Sequence, residues 1–137
     1  MSTETMKAVR IHAFGGPEVL QYEDAPKPLL QPGEVLVRVH AIGINPPDWY
    51  LRDGYRALPP EWRPQVDFPL IPGTDISGTV EAVGEDVEGF ATGDEVYSMV
   101  RFFSVGESKA YAEYVTVPAS ELAKKPKGID HVHAAAA

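Results

Sequence analysis

Proline and glycine recur so often in this chain that long uninterrupted helices are excluded. The 137 residues contain 13 prolines and 12 glycines, spread along the sequence rather than gathered in one tract. Proline removes a backbone donor and glycine permits tight turns, so both residues tend to end regular elements. The spacing therefore predicts short strands joined by turns and extended loops.

Alternation of side chains with period two indicates where the strands lie. In the clearest case, aliphatic residues at the odd positions of 35–41 alternate with Leu36, Arg38 and His40, directly after Gly33-Glu34. This is the pattern of a half-buried strand. By the same reasoning, we predict strands over Met6–Ile11, Val19–Tyr22, Val35–Ala41, Gly78–Val83, Glu95–Val100 and Tyr111–Val117.

One internal segment is typical of a helix instead. Asn45 is a favourable N-cap, a proline follows in the first turn, and Gly54 stands where a helix would stop. The segment from Tyr55 to Pro69 has no sustained period and is predicted to be a surface loop. The alanine-rich stretch from His131 to Ala137 predicts the start of a second helix.

Charge and composition exclude several classes of partner. Acidic residues outnumber basic ones by 20 to 12, giving a formal net charge of −8 that opposes binding to nucleic acid or an anionic membrane. The absence of cysteine excludes disulfides and thiolate metal sites. No apolar run approaches the roughly 20 residues of a membrane span. We expect a soluble, cytoplasmic, mainly β domain, for which alternation alone does not distinguish a partly open barrel from a sandwich.

Four segments in a fixed order resemble the GroES-like N-terminal domain of the medium-chain dehydrogenases/reductases. They are Pro32–Val39, Gly43–Tyr50, Pro72–Gly84 and Gly93–Val96, followed by Tyr111-Ala112-Glu113-Tyr114. The resemblance implies a mainly β fold, a GroES-like partly open β-barrel with short helices, without the Rossmann domain of the full enzyme. It places this domain at residues 1–127 and the start of a linker toward a nucleotide-binding domain at residues 128–137.

The second segment is similar to the zinc-independent branch of that family. Zinc-dependent relatives carry Cys where this chain has Asn45 and, in many of them, His where it has Tyr50. Thr74-Asp75 stands where they have further ligands. An amide, a phenol and a hydroxyl are poor zinc ligands, and Asp75 alone does not make a site. We therefore expect no metal.

The Asn-Pro-x-Asp-x-Tyr pattern at 45–50 resembles the NADPH:quinone oxidoreductases. The resemblance implies that Asn45 and Tyr50 are catalytic, that Asn45, Asp48 and Tyr50 contact the NADPH cofactor, and that Tyr50 donates a proton or hydrogen bond to the reduced substrate. Structural alternatives stay open: an N-cap for Asn45, packing for Tyr50, and interaction with the helix dipole for Asp48.

Aromatic residues crowd the same region. Trp49 and Tyr55 are candidates for a substrate pocket, because flat apolar walls suit planar quinones or enones, and Trp62 lies nearby in sequence. Barrel core is the alternative for all three, and Tyr55 stands one residue away from a cofactor-facing Tyr in some relatives. Gly73, Gly78 and Gly84 flank a strand, where shaping the barrel competes with a site role for Gly73.

Two other motifs carry no site. Gly84 to Gly89 contains three acids that would repel a pyrophosphate, so no dinucleotide-binding turn is present. His131 and His133 are interpreted as solvated helix residues rather than as metal ligands.

The implied function is hydride transfer from NADPH to a small-molecule quinone or α,β-unsaturated carbonyl, with this chain inactive alone and a homodimer allowed for the intact protein. The alternative is a non-catalytic GroES-like binding module of the co-chaperonin type. The helix at 45–54 has no purpose in such a module.

Overall fold

Seven strands and two short helices form the chain in the computed structural model, which describes residues 4–63, 65–100 and 109–137. The strands are β1 (Thr5–Arg10), β2 (Gln21–Pro26), β3 (Glu34–Gly43), β4 (Asp75–Val83), β5 (Glu95–Met99), β6 (Tyr114–Pro118) and β7 (Ala123–Lys124). The helices are α1 (Pro46–Asp53) and α2 (His131–Ala135). Short 3-10 turns span Pro17–Val19, Pro60–Trp62 and Ala119–Glu121.

The strands form two antiparallel sheets. One has the order β6-β3-β4-β5-β7, and β1 pairs with β2 in the other. The segment 110–113 connects them, because Val9 N–H donates to Tyr111 O and Val39 N–H donates to Glu113 O. The mainly β GroES-like fold predicted from sequence is confirmed. The sheets do not close into a complete barrel, and no parallel strand pair occurs among the described residues.

The main core lies under the five-stranded sheet. Val35 and Val37 of β3 are fully buried with Val80, Val96 and Val115 from the neighbouring strands, as expected from the alternation. Leu36, on the opposite face, is also buried, so the first half of β3 is covered on both sides rather than half-buried. A smaller cluster of Ile11, Leu51 and Leu70 fixes α1 against β1.

Most element boundaries shift from the predicted ones. The second strand begins at Gln21 rather than Val19, because Pro17 starts a 3-10 turn, and it continues to Pro26 rather than ending at Tyr22. β4 begins earlier, at Asp75, and β6 later, at Tyr114. The two-residue strand β7 was not predicted. Trp62 ends a 3-10 turn within the predicted 55–69 loop, of which position 64 lies outside the described residues.

Two glycines permit close approach of the backbone. Gly78 faces Val39 across β3 and β4, and a Cβ at Gly78 would overlap the Arg38 carbonyl oxygen. A Cβ at Gly84 would overlap the carbonyl oxygen of Gln31. Both residues therefore shape the sheet, as their sequence position suggested. Among the described residues, no helix is long and apolar enough to cross a membrane.

Candidate active site

Helix α1 carries four of the five candidate residues, at its N-cap and in its first two turns. Asn45 is the N-cap with extended backbone, Pro46 and Pro47 occupy the first turn, and Gly54 ends the helix with φ 83°. These features confirm the predicted start and stop. Asp48 and Leu51 are buried beneath the helix, whereas Trp49 and Tyr50 are 47% and 40% exposed. The helix thus presents its aromatic face outward and its carboxylate inward.

The Asn45 side chain is held by a residue that the sequence did not single out for the site. Asn45 Nδ2 donates to Asp75 Oδ2 at 2.6 Å, and Asp75 is the first residue of β4. Asp75 pairs with Gly43 at the end of β3. A Cβ on Gly43 would lie 3.1 Å from Asp75 Cβ and 2.7 Å from Ala135 O. The missing side chain of Gly43 therefore leaves room for both Asp75 and helix α2.

Asp48 is a buried residue whose carboxylate holds two other residues of the site in position. Its Oδ2 accepts the Asn45 backbone N–H at 3.0 Å, as in a capping box, and the Tyr111 hydroxyl at 2.8 Å. The residue is only 5% exposed. Its Oδ1 is buried without a hydrogen-bond partner among the residues that the structure describes. Asp48 is therefore positioned to hold other groups and is not accessible to a ligand.

The environment of Asp48 also changes the acidity of two tyrosines. Burial, the hydrogen bond to Asp48 and the charge of that carboxylate raise the pKa of Tyr111 well above its usual value. Burial, followed by repulsion from Asp48, raises the pKa of Tyr55. Both phenols therefore stay protonated at neutral pH. Tyr111 fits here because Gly73, with φ 101°, has no side chain to block its ring.

The aromatic candidates divide between surface and core. The Trp49 and Tyr50 rings lie 4.3 Å apart, centroid to centroid, and the Tyr50 and Tyr55 rings 6.2 Å apart. Tyr55 packs against the cluster of Ile11, Leu51 and Leu70, so it belongs partly to the core. Trp62 is 70% exposed and is not a core residue.

A cavity of about 520 Å³ lies beside this region but does not contain it. Its walls come from β1, the start of β2, β3 and the segment 110–113, and include Ile44 and Tyr111. Asn45, Trp49, Tyr50 and Tyr55 do not line it. Asn45 lies at the N-cap of α1, and Trp49 and Tyr50 are exposed on the helix that follows. We call this part of the surface the open face around the start of α1.

Of the two histidines of the last helix, one is in its predicted solvated state and the other is not. His133 is solvated as expected, with 77% of its side chain exposed. His131 is not, because its side chain is only 16% exposed and contacts three strands. Its Nδ1 is 2.6 Å from Ser77 Oγ, its Nε2 is 3.4 Å from Glu95 Oε1, and its ring stacks on His40 at 4.4 Å. Burial and the nearby His40 lower its pKa.

The described residues contain no group of three or more His, Cys, Asp or Glu side chains arranged to hold a metal ion. The groups around Asn45 are an amide, a carboxylate and a hydroxyl: Thr74 Oγ1 lies 3.4 Å from Asp75 Oδ1. Such a set is better suited to hydrogen bonding a polar ligand than to binding zinc.

Two residues of this network were outside the set proposed from sequence. In the sequence, Asp75 stands out only as a lone carboxylate, and Tyr111 only as part of a motif. The Asn45–Asp75 contact joins residues 30 positions apart, and the Asp48–Tyr111 contact joins residues 63 positions apart. Both contacts depend on the register of the strands, so the local sequence gives no signal of them.

Comparison with known proteins agrees with the architecture. Residues 31–127 match the alcohol dehydrogenase GroES-like domain family. The pig (Sus scrofa) quinone oxidoreductase is 37% identical over 132 residues, covering 96% of this chain. This chain spans 37% of the length of that relative.

Solved structures give the same result. The quinone oxidoreductase from Coxiella burnetii superposes with a TM-score of 0.83 at 30% identity, covering 98% of this chain and 41% of that one. A mycobacterial protein, Rv1454c, solved in complex with NADPH, superposes with a TM-score of 0.75 at 38% identity, covering 96% of this chain and 36% of that one. The chain therefore belongs to the alcohol dehydrogenase GroES-like domain family, and its relatives there include quinone oxidoreductases of the medium-chain dehydrogenase/reductase type.

Proposed function

We propose that this chain is the catalytic β domain of an NADPH-dependent oxidoreductase that reduces quinones or α,β-unsaturated carbonyl compounds without zinc. The observation that carries the proposal is the start of α1, where an oriented amide, Asn45, is the N-cap of the helix that exposes the rings of Trp49 and Tyr50. Similarity to quinone oxidoreductases, and to a structure complexed with NADPH, supports the same function.

The side chains of this face fit a nicotinamide ring and a planar acceptor. When bound, NADPH supplies the hydride. Asn45 offers an amide that hydrogen-bonds the ribose or the substrate carbonyl region, and the Tyr50 hydroxyl donates a hydrogen bond or proton to the reduced substrate. Trp49 supplies an exposed flat wall, and Tyr55 lies on the core side of the Tyr50 ring. We place Asp48 in the cofactor site only indirectly, through its contact with Asn45.

The proposal of zinc independence follows from the same groups. Asn45 Nδ2, at the position where zinc-dependent relatives have a thiolate, donates to Asp75 and has no lone pair for a metal. The Tyr50 phenol replaces an imidazole, and a neutral phenol binds zinc poorly.

Further parts of the proposal concern the whole protein. We assign residues 1–127 to this domain and residues 128–137 to the connection toward a nucleotide-binding domain. The isolated chain is proposed to be inactive, because alignment of cofactor and acceptor needs both domains. We also propose a homodimer, a cytoplasmic location, a preference for NADPH over NADH, and no binding to nucleic acid or membrane, the last supported by the net charge of −8.

The test is to follow NADPH oxidation by the whole protein after exhaustive chelation, with a benzoquinone and with an enone as acceptors. We expect oxidation that survives chelation, and Tyr50→Phe should lower kcat at least about tenfold. Tyr22→Phe, a matched loss of a hydroxyl on exposed β2, should leave kcat unchanged. Absence of oxidation with every acceptor, or activity that returns only with added zinc, would contradict the proposal.

A further inference from the structure

The Asn45 amide has two ends of opposite hydrogen-bonding character, and the end that faces a ligand decides what the ligand must offer. The Asn45 Nδ2 group donates, whereas Oδ1 accepts with two lone pairs. A side chain free to rotate by half a turn would present either end. The surroundings of Asn45 therefore determine its chemistry as much as the residue itself.

Asp75 removes this ambiguity. An ionised carboxylate only accepts hydrogen bonds, so only the Nδ2 end of Asn45 can face it, as the 2.6 Å contact from Nδ2 to Oδ2 shows. Among the described residues, no Lys or Arg forms an ion pair with Asp75. Its other side-chain contact is the weaker one from Thr74 Oγ1, at 3.4 Å. No cation among these residues therefore competes with the Asn45 amide for the Asp75 carboxylate, which favours the hydrogen bond between them.

The backbone fixes both partners before any ligand binds. Asp75 begins β4 in register with Gly43, two residues before Asn45, and Asn45 is anchored as the N-cap of α1. The Asp48 carboxylate holds the Asn45 N–H from the other side, and Tyr111 braces Asp48. Asp48 therefore holds the backbone of Asn45, and Asp75 holds its side-chain Nδ2. The amide oxygen Oδ1 has two lone pairs, so one stays available even when the N-terminus of the helix takes the other.

From this geometry we infer that Asp75 is a positioning residue, which fixes the Asn45 amide with its oxygen as the ligand-facing acceptor. The inference deepens the proposed function. It specifies that Asn45 recognises a donor, such as a ribose hydroxyl or the N–H of a nicotinamide carboxamide. Asp75 acts through Asn45 and does not touch the cofactor.

A double-mutant cycle on the whole protein tests this, with NADPH affinity measured by the change in cofactor fluorescence. Asp75→Ala and Asn45→Ala should each weaken NADPH binding about three- to tenfold, the usual value of one hydrogen bond. The double variant should be no weaker than Asn45→Ala alone. Asp75→Asn keeps an acceptor oxygen and should restore most of the affinity. Asp67→Ala, which removes an exposed carboxylate elsewhere, is the charge control.

Full additivity of the two alanine variants, or wild-type affinity in Asp75→Ala, would overturn the inference. The side-chain amide resonance of Asn45 gives a second measurement that needs no cofactor. Its Nδ2 protons should exchange slowly with solvent in the wild type and quickly in Asp75→Ala. If the wild type fails to bind NADPH, the proposed function fails, while this exchange rate still decides whether Asp75 fixes the amide. Fast exchange in the wild type would refute that.

Discussion

Among the described residues, two donors reach the buried carboxylate of Asp48: the Tyr111 hydroxyl and the Asn45 backbone N–H. Asp48 has no cation in direct contact among the described residues and already leaves Oδ1 without a partner. A buried carboxylate in this state depends heavily on each remaining hydrogen bond. Tyr111 thus links the start of α1 to the segment that joins the two sheets.

Tyr111→Phe should therefore reduce the free energy of unfolding by about 1–3 kcal/mol, because it leaves a buried charge less solvated without changing the ring. Urea denaturation followed by circular dichroism measures the change. Tyr22→Phe removes a hydroxyl at a site that is 73% exposed and should change stability by less than about 0.5 kcal/mol. Equal stability of the Tyr111 variant and the wild type would show that Asp48 is satisfied in another way.

For individual residues, the sequence predicted the start and stop of helix α1 but not the long-range contacts around it. Asn45, Pro46 and Gly54 follow local rules of helix capping, so their roles were readable directly. The burial of Asp48 could not be predicted in this way, because its partner Tyr111 lies 63 residues away in the sequence. A first-turn Asp looks identical in sequence whether it faces solvent or the interior.

At the level of elements, the close pairing of β3 and β4 depends on Gly78. The ladder between them contains two register shifts, one of which leaves His40 unpaired between Val39 and Ala41. Extra residues of this kind bend a strand and increase its twist. Gly78, opposite Val39, lets the Arg38 carbonyl oxygen come close at this point.

Gly78→Ala should destabilise the fold by about 3 kcal/mol, because the added methyl group meets backbone rather than a movable side chain. Gly89→Ala is a useful contrast. Gly89 has φ 87° but nothing within 4 Å of the added atom, so only backbone strain of about 1–2 kcal/mol is expected. Thermal unfolding of both variants compares the two costs. A smaller loss for Gly78→Ala than for Gly89→Ala would contradict the close approach.

Helix α2 packs on β3, β4 and β5, and its first residue makes the attachment sensitive to pH. His131 faces Ser77 and Glu95, stacks on His40, and has Lys125 nearby; burial and His40 lower its pKa, against the attraction of Glu95. The unfolded chain, with a His pKa of about 6.5, therefore binds a proton before the folded chain does. Stability is unaffected above that pH and falls as the pH is lowered through it, until the folded state also protonates.

His131→Asn should flatten this fall in unfolding free energy below about pH 6.5, whose slope for one proton is at most about 1.4 kcal/mol per pH unit. Glu95 contributes in a different window, because Lys125 lowers its pKa and its stabilisation is lost only below about pH 4.5. The control is His133→Asn, at a side chain that is 77% exposed. An unchanged pH profile in His131→Asn would show that the ring does not titrate with folding.

For the molecule as a whole, the period-two alternation and the turns marked by glycine predicted a mainly β domain. The resemblance across four segments identified its family. The choice between barrel and sandwich needed the resemblance, because period-two burial is common to both. The join between the sheets depends on 110–113 pairing with β1 and β3, which are far away in sequence. Such long-range pairing has no signal in the local sequence. It also determines where Asp75 and Tyr111 lie relative to α1.

We propose that the open face around the start of α1 receives the nicotinamide cofactor. A crystal structure of the whole protein with NADP⁺ tests this most directly. We expect the nicotinamide ring to contact Asn45 and Tyr50, the Asn45 oxygen to accept a hydrogen bond, and no anomalous zinc signal at either residue. A nicotinamide placed away from both side chains, or a zinc ion bound to one of them, would contradict it.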